Sequence, residues 1–235
     1  MQLTTRDVVK YFGVSESTLK RWVKTRNLPA HWVNGQYRFN RAELLEWATA
    51  QRVQVSSQLF ADLAEDDEPA PGLVAALEAG GIYYNLSDSN KETALRAIVN
   101  AVSLPDDFDR GSLLQHLLAR ESLASTAVGG GIAIPHVRSP VVVPTTLPMI
   151  ALCFLQQPVQ FGAPDKEPVG VFFLLICPHV RLHLQLLSRL AWALHDSGFK
   201  EAVVRRAPRE TILREARRVE LASASGKPSD STAAG

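Results

Sequence analysis

Beyond its first third the chain is written in uninterrupted apolar runs separated by segments of helical period. Residues 132–134, 149–154 and 169–176 carry no charge and are of strand length. A strand wet on one face alternates polar with apolar, so runs apolar at every position predict strands covered on both faces. Residues 90–102 bring Ala94, Leu95, Ile98 and Val99 to one side of a helix, and 111–121 do the same with Leu113, Leu114, Leu117 and Leu118. Residues 183–194 repeat the pattern with Leu184, Leu187, Leu190, Ala191 and Leu194, and Pro208 starts a last helix to about residue 221. Buried strands separated by helices predict an α/β sandwich.

The first fifty residues follow a different grammar. Thr4 and Asp7 have the spacing of a capping box, which predicts a helix over 5–12 that Gly13 ends. Ser15 caps a second helix to about residue 25, with Leu19, Trp22 and Val23 on one face and Lys20, Arg21 and Lys24 on others. Residues 31–39 are apolar and aromatic on both sides of Asn34-Gly35, the dipeptide suited to a tight hairpin, and this hairpin makes a wing. Asn40, with Glu43 three residues on, opens a third helix packed through Leu44, Leu45, Trp47 and Ala48. The head is then a small winged helix-turn-helix, with Trp22, Trp32, Tyr37, Phe39 and Trp47 assigned to its core.

Length and charge sharpen this division. A chain of 235 residues exceeds the usual single domain. Its net charge is only +1, yet residues 1–52 hold nine Lys or Arg against four Asp or Glu. Residues 61–68 hold five acids and no base. A basic head followed by an acidic, Pro-rich joint points to a polyanion as the head's partner. The expected domains are a winged head over 1–52, a linker over 53–72, an α/β domain over 73–221 and a disordered tail over 222–235. A stripe of Val55, Leu59 and Leu63 extends the third helix into the joint, too briefly for a coiled coil. The apolar runs 147–155 and 169–177 are about half the length that spans a bilayer, and Arg6, Asp7 and Lys10 do not suit a secretory leader, so the reading is cytoplasmic, without membrane insertion. Cys153 and Cys177 lie inside apolar runs as reduced packing residues.

One stretch carries chemistry: Gly129-Gly130-Gly131-Ile132-Ala133-Ile134-Pro135-His136. The glycines read as a loop built for close approach of a partner or a phosphate. Pro135 ends the short strand and leaves His136 at its exit, on an open loop. A neutral imidazole there can accept a phosphoryl group, bind a metal, move a proton or simply finish a turn. Metal is the weakest of these, since no His or Cys cluster with ligand spacing surrounds it, and no cofactor is expected.

The run Arg120-Glu121-Ser122-Leu123-Ala124-Ser125-Thr126, then the glycines, then Ile-Ala-Ile-Pro-His, resembles the active-site signature of phosphotransferase system enzyme IIA domains of the mannitol, fructose and nitrogen-regulatory type. Pro158-Val159-Gln160-Phe161 and the strand at 171–178 followed by His183-Leu184-Gln185 extend the resemblance over about residues 73–220. It implies a mixed sheet flanked by helices, phosphorylation of His136, and Arg120 and His183 beside it. A guanidinium can hold phosphoryl oxygens in a fork, and a second imidazole can donate to them or orient the nucleophile. His179 lies outside the pattern, and His31, His116 and His195 receive no role.

The head, through Ser15-Glu16-Ser17-Thr18-Leu19-Lys20-Arg21-Trp22 and the hairpin, is similar to the DNA-binding domain of the MerR and excisionase group. That resemblance implies contacts to double-stranded DNA from Ser17, Thr18, Lys20, Arg21 and Lys24 on the second helix and from Gln36 and Arg38 on the wing. Together the two resemblances imply a DNA-binding regulator phosphorylated by a phosphocarrier protein of the general or nitrogen type, with a homodimer on two half-sites as a plausible assembly. The competing readings are a phosphotransferase that passes phosphate to a sugar-transport IIB domain, and an interaction protein that leaves His136 unused.

Overall fold

A computed structural model describes residues 2–33, 35–40, 43–44, 47–48, 51, 53, 71–87, 90–106, 108–137, 148–178 and 180–224. The chain divides into two compact units, Met1–Pro69 and Ala70–Gly235. Most of the expected linker, with its Val55, Leu59 and Leu63 stripe, and most of the expected tail lie outside the described residues, as do Leu45 and His179.

In the first unit, α1 (Thr5–Phe12) begins at the expected box: the Thr4 hydroxyl accepts from the Asp7 amide at 3.3 Å and the Thr4 amide donates to Asp7 Oδ2 at 2.8 Å. Gly13 closes it at φ +62°, the left-handed conformation that glycine adopts without penalty. Ser15 caps α2 (Glu16–Thr25) through the Thr18 amide. The wing is β2 (His31–Val33) and β3 (Gln36–Asn40), and β1 (Gln2–Thr4) adds a third antiparallel strand beside β3. Three residues are too few to show a period, so β1 has no signature in the sequence. Glu43, Leu44, Trp47 and Ala48 are helical, and the last three are buried.

Phe12, Trp22 and Trp47 pack within 6 Å of one another, and the Trp47 indole N–H donates to the Arg26 carbonyl at 2.8 Å. Phe39 is fully buried. Trp32 departs from the expectation of a core residue: it is 66% exposed, standing edge-on to Tyr37 at 4.7 Å. Trp32, Tyr37 and Phe39 share one face of the three-stranded sheet, but burial is concentrated where Phe39 pairs with Leu3 of β1, whereas Trp32 stands on the edge strand β2.

The second unit is a three-layer sandwich. Its elements are α3 (Leu73–Gly80), β4 (Ile82–Leu86), α4 (Lys91–Ala101), α5 (Arg110–Leu123), β5 (Ala127–Gly129), β6 (Ile132–Ala133), β7 (Met149–Val159), β8 (Val169–Ile176), α6 (Val180–His195), α7 (Ser197–Val204) and α8 (Arg209–Ala224). The sheet runs β4-β7-β8-β6-β5 and is mixed: β4 lies parallel to β7 and β6 to β8, whereas β7 with β8 and β5 with β6 are antiparallel.

The uninterrupted apolar runs follow from this layering. Ile150, Leu152, Phe154, Val171, Phe173 and Leu175 face a core closed by α3, α6, α7 and α8. Their neighbours Ala151, Cys153, Leu155, Phe172, Leu174 and Ile176 face a second core closed by α4 and α5. Each buried Phe or Leu contributes about 1.5–3 kcal/mol over leaving it wet. At Gly80 a Cβ would lie 2.3 Å from the Ile150 backbone, so only glycine lets α3 press this closely on β7. Strand β7 runs five residues past the expected end, through exposed Gln156, Gln157 and Pro158, with the register shifting before Val159. Such an irregularity tolerates proline, which has no N–H to give a ladder.

Candidate functional site

His136 sits where the central sheet ends. Its backbone makes a parallel bridge to Leu175, and the Leu175 amide donates to the Pro135 carbonyl at 3.1 Å. Side chains alternate along an extended chain, so His136 points to the same face as Ile132 and Ile134, the face that α6 covers. Helix α6 starts just after β8 and carries His183 in its first turn. The two imidazoles meet with ring centroids 5.0 Å apart and planes tilted by 47°.

His136 is only 3% exposed and His183 6%, so the histidine is not on the open loop that the motif suggests. Burial follows from the bridge to β8, which continues the sheet past Pro135 and draws the imidazole under α6. The Nδ1–H of His136 donates to the Ile134 carbonyl at 2.7 Å. A carbonyl oxygen only accepts, so the contact assigns the proton to Nδ1 and leaves Nε2 as the nitrogen with a basic lone pair. Nε2 is itself buried. The first turn of a helix lies beside it, and its positive dipole end favours an anion there.

The three glycines serve another purpose. Gly129, Gly130 and Gly131 have φ of +81°, +65° and +73°. Gly129 pairs with Ile132, so Gly130 and Gly131 form the two-residue turn between β5 and β6, of the type that needs positive φ at both positions. Asp165 Oδ2 accepts from the Gly130 amide at 2.6 Å, and the Gly131 carbonyl accepts from the Gly170 and Val171 amides at 3.0 and 3.1 Å. This turn stands beside the start of β8, whereas His136 stands beside its end. About 20 Å of extended chain separates them. The expectation of a loop built for close approach is therefore corrected: the glycines shape a hairpin turn, away from the histidine.

Arg120 lies in the last turn of α5, where its Nη1 donates to the Ala124 carbonyl at 2.8 Å and closes the helix end. The geometry thus joins His136 to His183 and places Arg120 at the entry to β5. Sequence reasoning missed Glu121. Its side chain is 4% exposed, with Oε1 accepting from Lys91 Nζ at 3.0 Å and Oε2 accepting from the Thr126 amide and hydroxyl at 2.9 and 2.7 Å. The available signal was an acid four residues after Leu117, on the buried stripe of α5.

Burial pushes the thiols of Cys153 and Cys177 up to about 12, which suits packing residues rather than nucleophiles. Among the described residues no three His, Cys, Asp or Glu side chains gather as ligands of one metal ion, and no helix is long and apolar enough to cross a membrane.

In the head, Ser17, Arg21, Lys24 and Gln36 are exposed, while Thr18 and Arg38 are half-buried. Thr18 supports the cap of α2 through Ser15, and Arg38 lies mid-wing opposite His31 and Thr4. Lys20 Nζ rests 2.7 Å from Glu16, whose carboxylate raises the lysine's pKa. A cleft between α2 and the wing is lined by Arg6, Glu16, Lys20, Trp32, Gln36 and Tyr37.

Both units have counterparts among known protein families. Residues 76–216 match the family described as the phosphoenolpyruvate-dependent sugar phosphotransferase system, EIIA 2, and residues 3–52 match a helix-turn-helix domain family. The nitrogen regulatory protein of Pseudomonas aeruginosa is 36% identical over 141 residues, covering 58% of this chain and 88% of the relative. The fructose-specific EIIA component of Haloferax volcanii is 31% identical over 127 residues, covering 53% and 80%. The crystal structure of nitrogen regulatory protein IIA-Ntr from Neisseria meningitidis superposes with a TM-score of 0.51 at 27% identity, covering 57% of this chain and 92% of that one. With its family signature spanning more than half of the residues, the chain belongs to the EIIA 2 family of the phosphoenolpyruvate-dependent sugar phosphotransferase system and carries a helix-turn-helix domain ahead of that unit.

Proposed function

We propose that this protein is a DNA-binding regulator whose EIIA unit accepts a phosphoryl group on Nε2 of His136 from a phosphohistidine carrier protein. The observation that carries the reading is the buried pair of His136, with Nδ1 engaged by the Ile134 carbonyl, and His183. In the transfer the Nε2 lone pair forms the new P–N bond. The carrier's P–N bond breaks with its electrons returning to the carrier's imidazole. Nδ1 keeps its proton, and the positive charge that develops on the ring is stabilised by the Ile134 carbonyl. His183 donates to a phosphoryl oxygen, and Arg120 turns from the helix end to hold the others; such charge stabilisation is the main lever in phosphoryl transfer.

The head supplies the output. Lys20, Arg21, Lys24 and Arg38 neutralise phosphates of double-stranded DNA, while Ser17, Thr18 and Gln36 reach base edges or backbone oxygens. The name nitrogen regulatory protein borne by a 36%-identical relative supports regulation as the use of the phosphate.

The test is phosphorylation by phosphoenolpyruvate, enzyme I and a phosphocarrier protein, with the label mapped by residue. Acid-labile label on His136, retained when a IIB domain is added, supports the regulator. Rapid loss of label to the IIB domain would make the protein a transport component, and label elsewhere would contradict the assignment.

A further inference from the structure

We infer that Glu121 is a positioning residue that sets the tautomer and orientation of His136, and through them its rate of phosphorylation. The inference rests on the reading of His136 as a phosphoryl acceptor, but it starts from an unabsorbed feature, a carboxylate buried beneath the strand that leads to the histidine.

The relay is continuous. Lys91 and the Thr126 amide and hydroxyl fix both carboxylate oxygens of Glu121. The Thr126 carbonyl accepts from the Ile134 amide at 3.0 Å, and the Ile134 carbonyl accepts from His136 Nδ1 at 2.7 Å. Ile134 is held in extended form by Pro135, so fixing its amide also aims its carbonyl. On the other side the chain is secured to β8, a central strand. On this side it meets only the approach to β5, the edge of the sheet, where nothing further along the ladder stiffens the backbone. Glu121 replaces that missing neighbour. It clamps Thr126 from α5, while the hydroxyl of the preceding residue, Ser125, donates to the Phe161 carbonyl at 2.7 Å.

A loosened Ile134 carbonyl lets the imidazole rotate or shift its proton to Nε2, and a protonated Nε2 has no lone pair to attack phosphorus. Glu121→Gln has one acceptor oxygen where the carboxylate has two, so its amide N–H opposes either Lys91 or the Thr126 amide and hydroxyl, and in either orientation the clamp on Thr126 loosens without loss of volume. Displacements of this kind cost on the order of ten- to a hundredfold in rate.

The experiment reads the His136 tautomer by two-bond proton–nitrogen NMR in the unphosphorylated full chain, alongside saturation kinetics with the phosphocarrier protein. In the wild type Nδ1–H dominates. In Glu121→Gln the Nδ1–H population falls, the maximal rate drops at least about tenfold, and half-saturation by the carrier stays within about twofold, because the docking surface is untouched. Adding Lys91→Met to Glu121→Gln leaves the single oxygen to Thr126 and recovers part of both signals. Thr126→Val, which keeps the amide bond and loses the hydroxyl, gives an intermediate effect and serves if the glutamine variant does not fold. A wild-type tautomer and rate in folded Glu121→Gln, or in Thr126→Val in its place, would overturn the inference. A tautomer that follows Glu121 in a protein that never accepts phosphate would support the relay and remove the phosphoacceptor reading alone.

Discussion

The imidazole of His183 lies 5.0 Å, centroid to centroid, from that of His136 and is tilted 47° to it, so two rings from different elements share one buried pocket. A second imidazole this close has a direct route to the phosphoryl oxygens. His136→Ala is expected to abolish acid-labile labelling. His183→Ala and Arg120→Ala should retain the acceptor and slow transfer by about ten- to a thousandfold. Rapid-quench kinetics checks this, and wild-type rates in either would return that residue to a packing or capping role.

Gly130 holds φ of +65° in the β5–β6 turn, at the far end of the strand from His136. Gly130→Ala should therefore destabilise the fold by about 1–2 kcal/mol, the penalty of a left-handed alanine, and leave the transfer rate unchanged while the protein is folded. Denaturant unfolding together with the transfer assay separates the two effects.

Trp32 and Trp47 predict opposite outcomes. Trp47 is 7% exposed against Phe12 and Trp22, so Trp47→Ala should cost about 3–5 kcal/mol of head stability. Trp32 is 66% exposed, and Trp32→Ala should cost no more than the edge-on pair with Tyr37, about 0.5–1.5 kcal/mol. Urea unfolding of the full chain, followed by fluorescence of the remaining tryptophans, gives both values.

Asp196 caps α7, accepting from the Phe199 amide at 2.9 Å and from Arg218. Burial alone would raise its pKa, but the Arg218 guanidinium and the amides of Phe199 and Gly198 outweigh burial and hold it below the usual aspartate value. A carboxyl depressed on folding contributes stability above its unfolded pKa of about 3.9, and that stability is lost as pH falls through the lower folded value. Wild type should thus lose stability more steeply than Asp196→Asn as pH falls below about 4, measured as midpoints in urea at successively lower pH.

The layering of the second unit was legible because each run at 149–154 and 169–176 is apolar on both faces, and only a sheet covered on both sides requires that. His136 was legible through its motif. Its burial was not, since the bridge to Leu175 joins positions far apart in the chain. The glycines were misread for a related reason: positive φ serves a hairpin turn as readily as a ligand loop, and the choice depends on β8 and Asp165. Helices α3 and α7, eight residues each, escaped notice because Leu73 to Leu77 is apolar nearly all round and α7 directly follows the longer α6. Trp32 was assigned to the core because an aromatic in a small domain is buried more often than displayed.

If the EIIA unit is a switch for the head, phosphate on His136 changes the affinity of the head for DNA. Phosphorylation adds close to two negative charges, and coupling between sites in one protein is typically about 1–3 kcal/mol, or roughly five- to 150-fold in affinity. The direct measurement selects a duplex from a random library with the unphosphorylated protein, then titrates it with unmodified and phosphorylated wild type at one salt concentration. His136→Ala, treated identically, is the control that cannot respond. The account predicts dissociation constants that differ at least about fivefold between the two wild-type forms and agree in the variant. Equal constants for the two wild-type forms would contradict it.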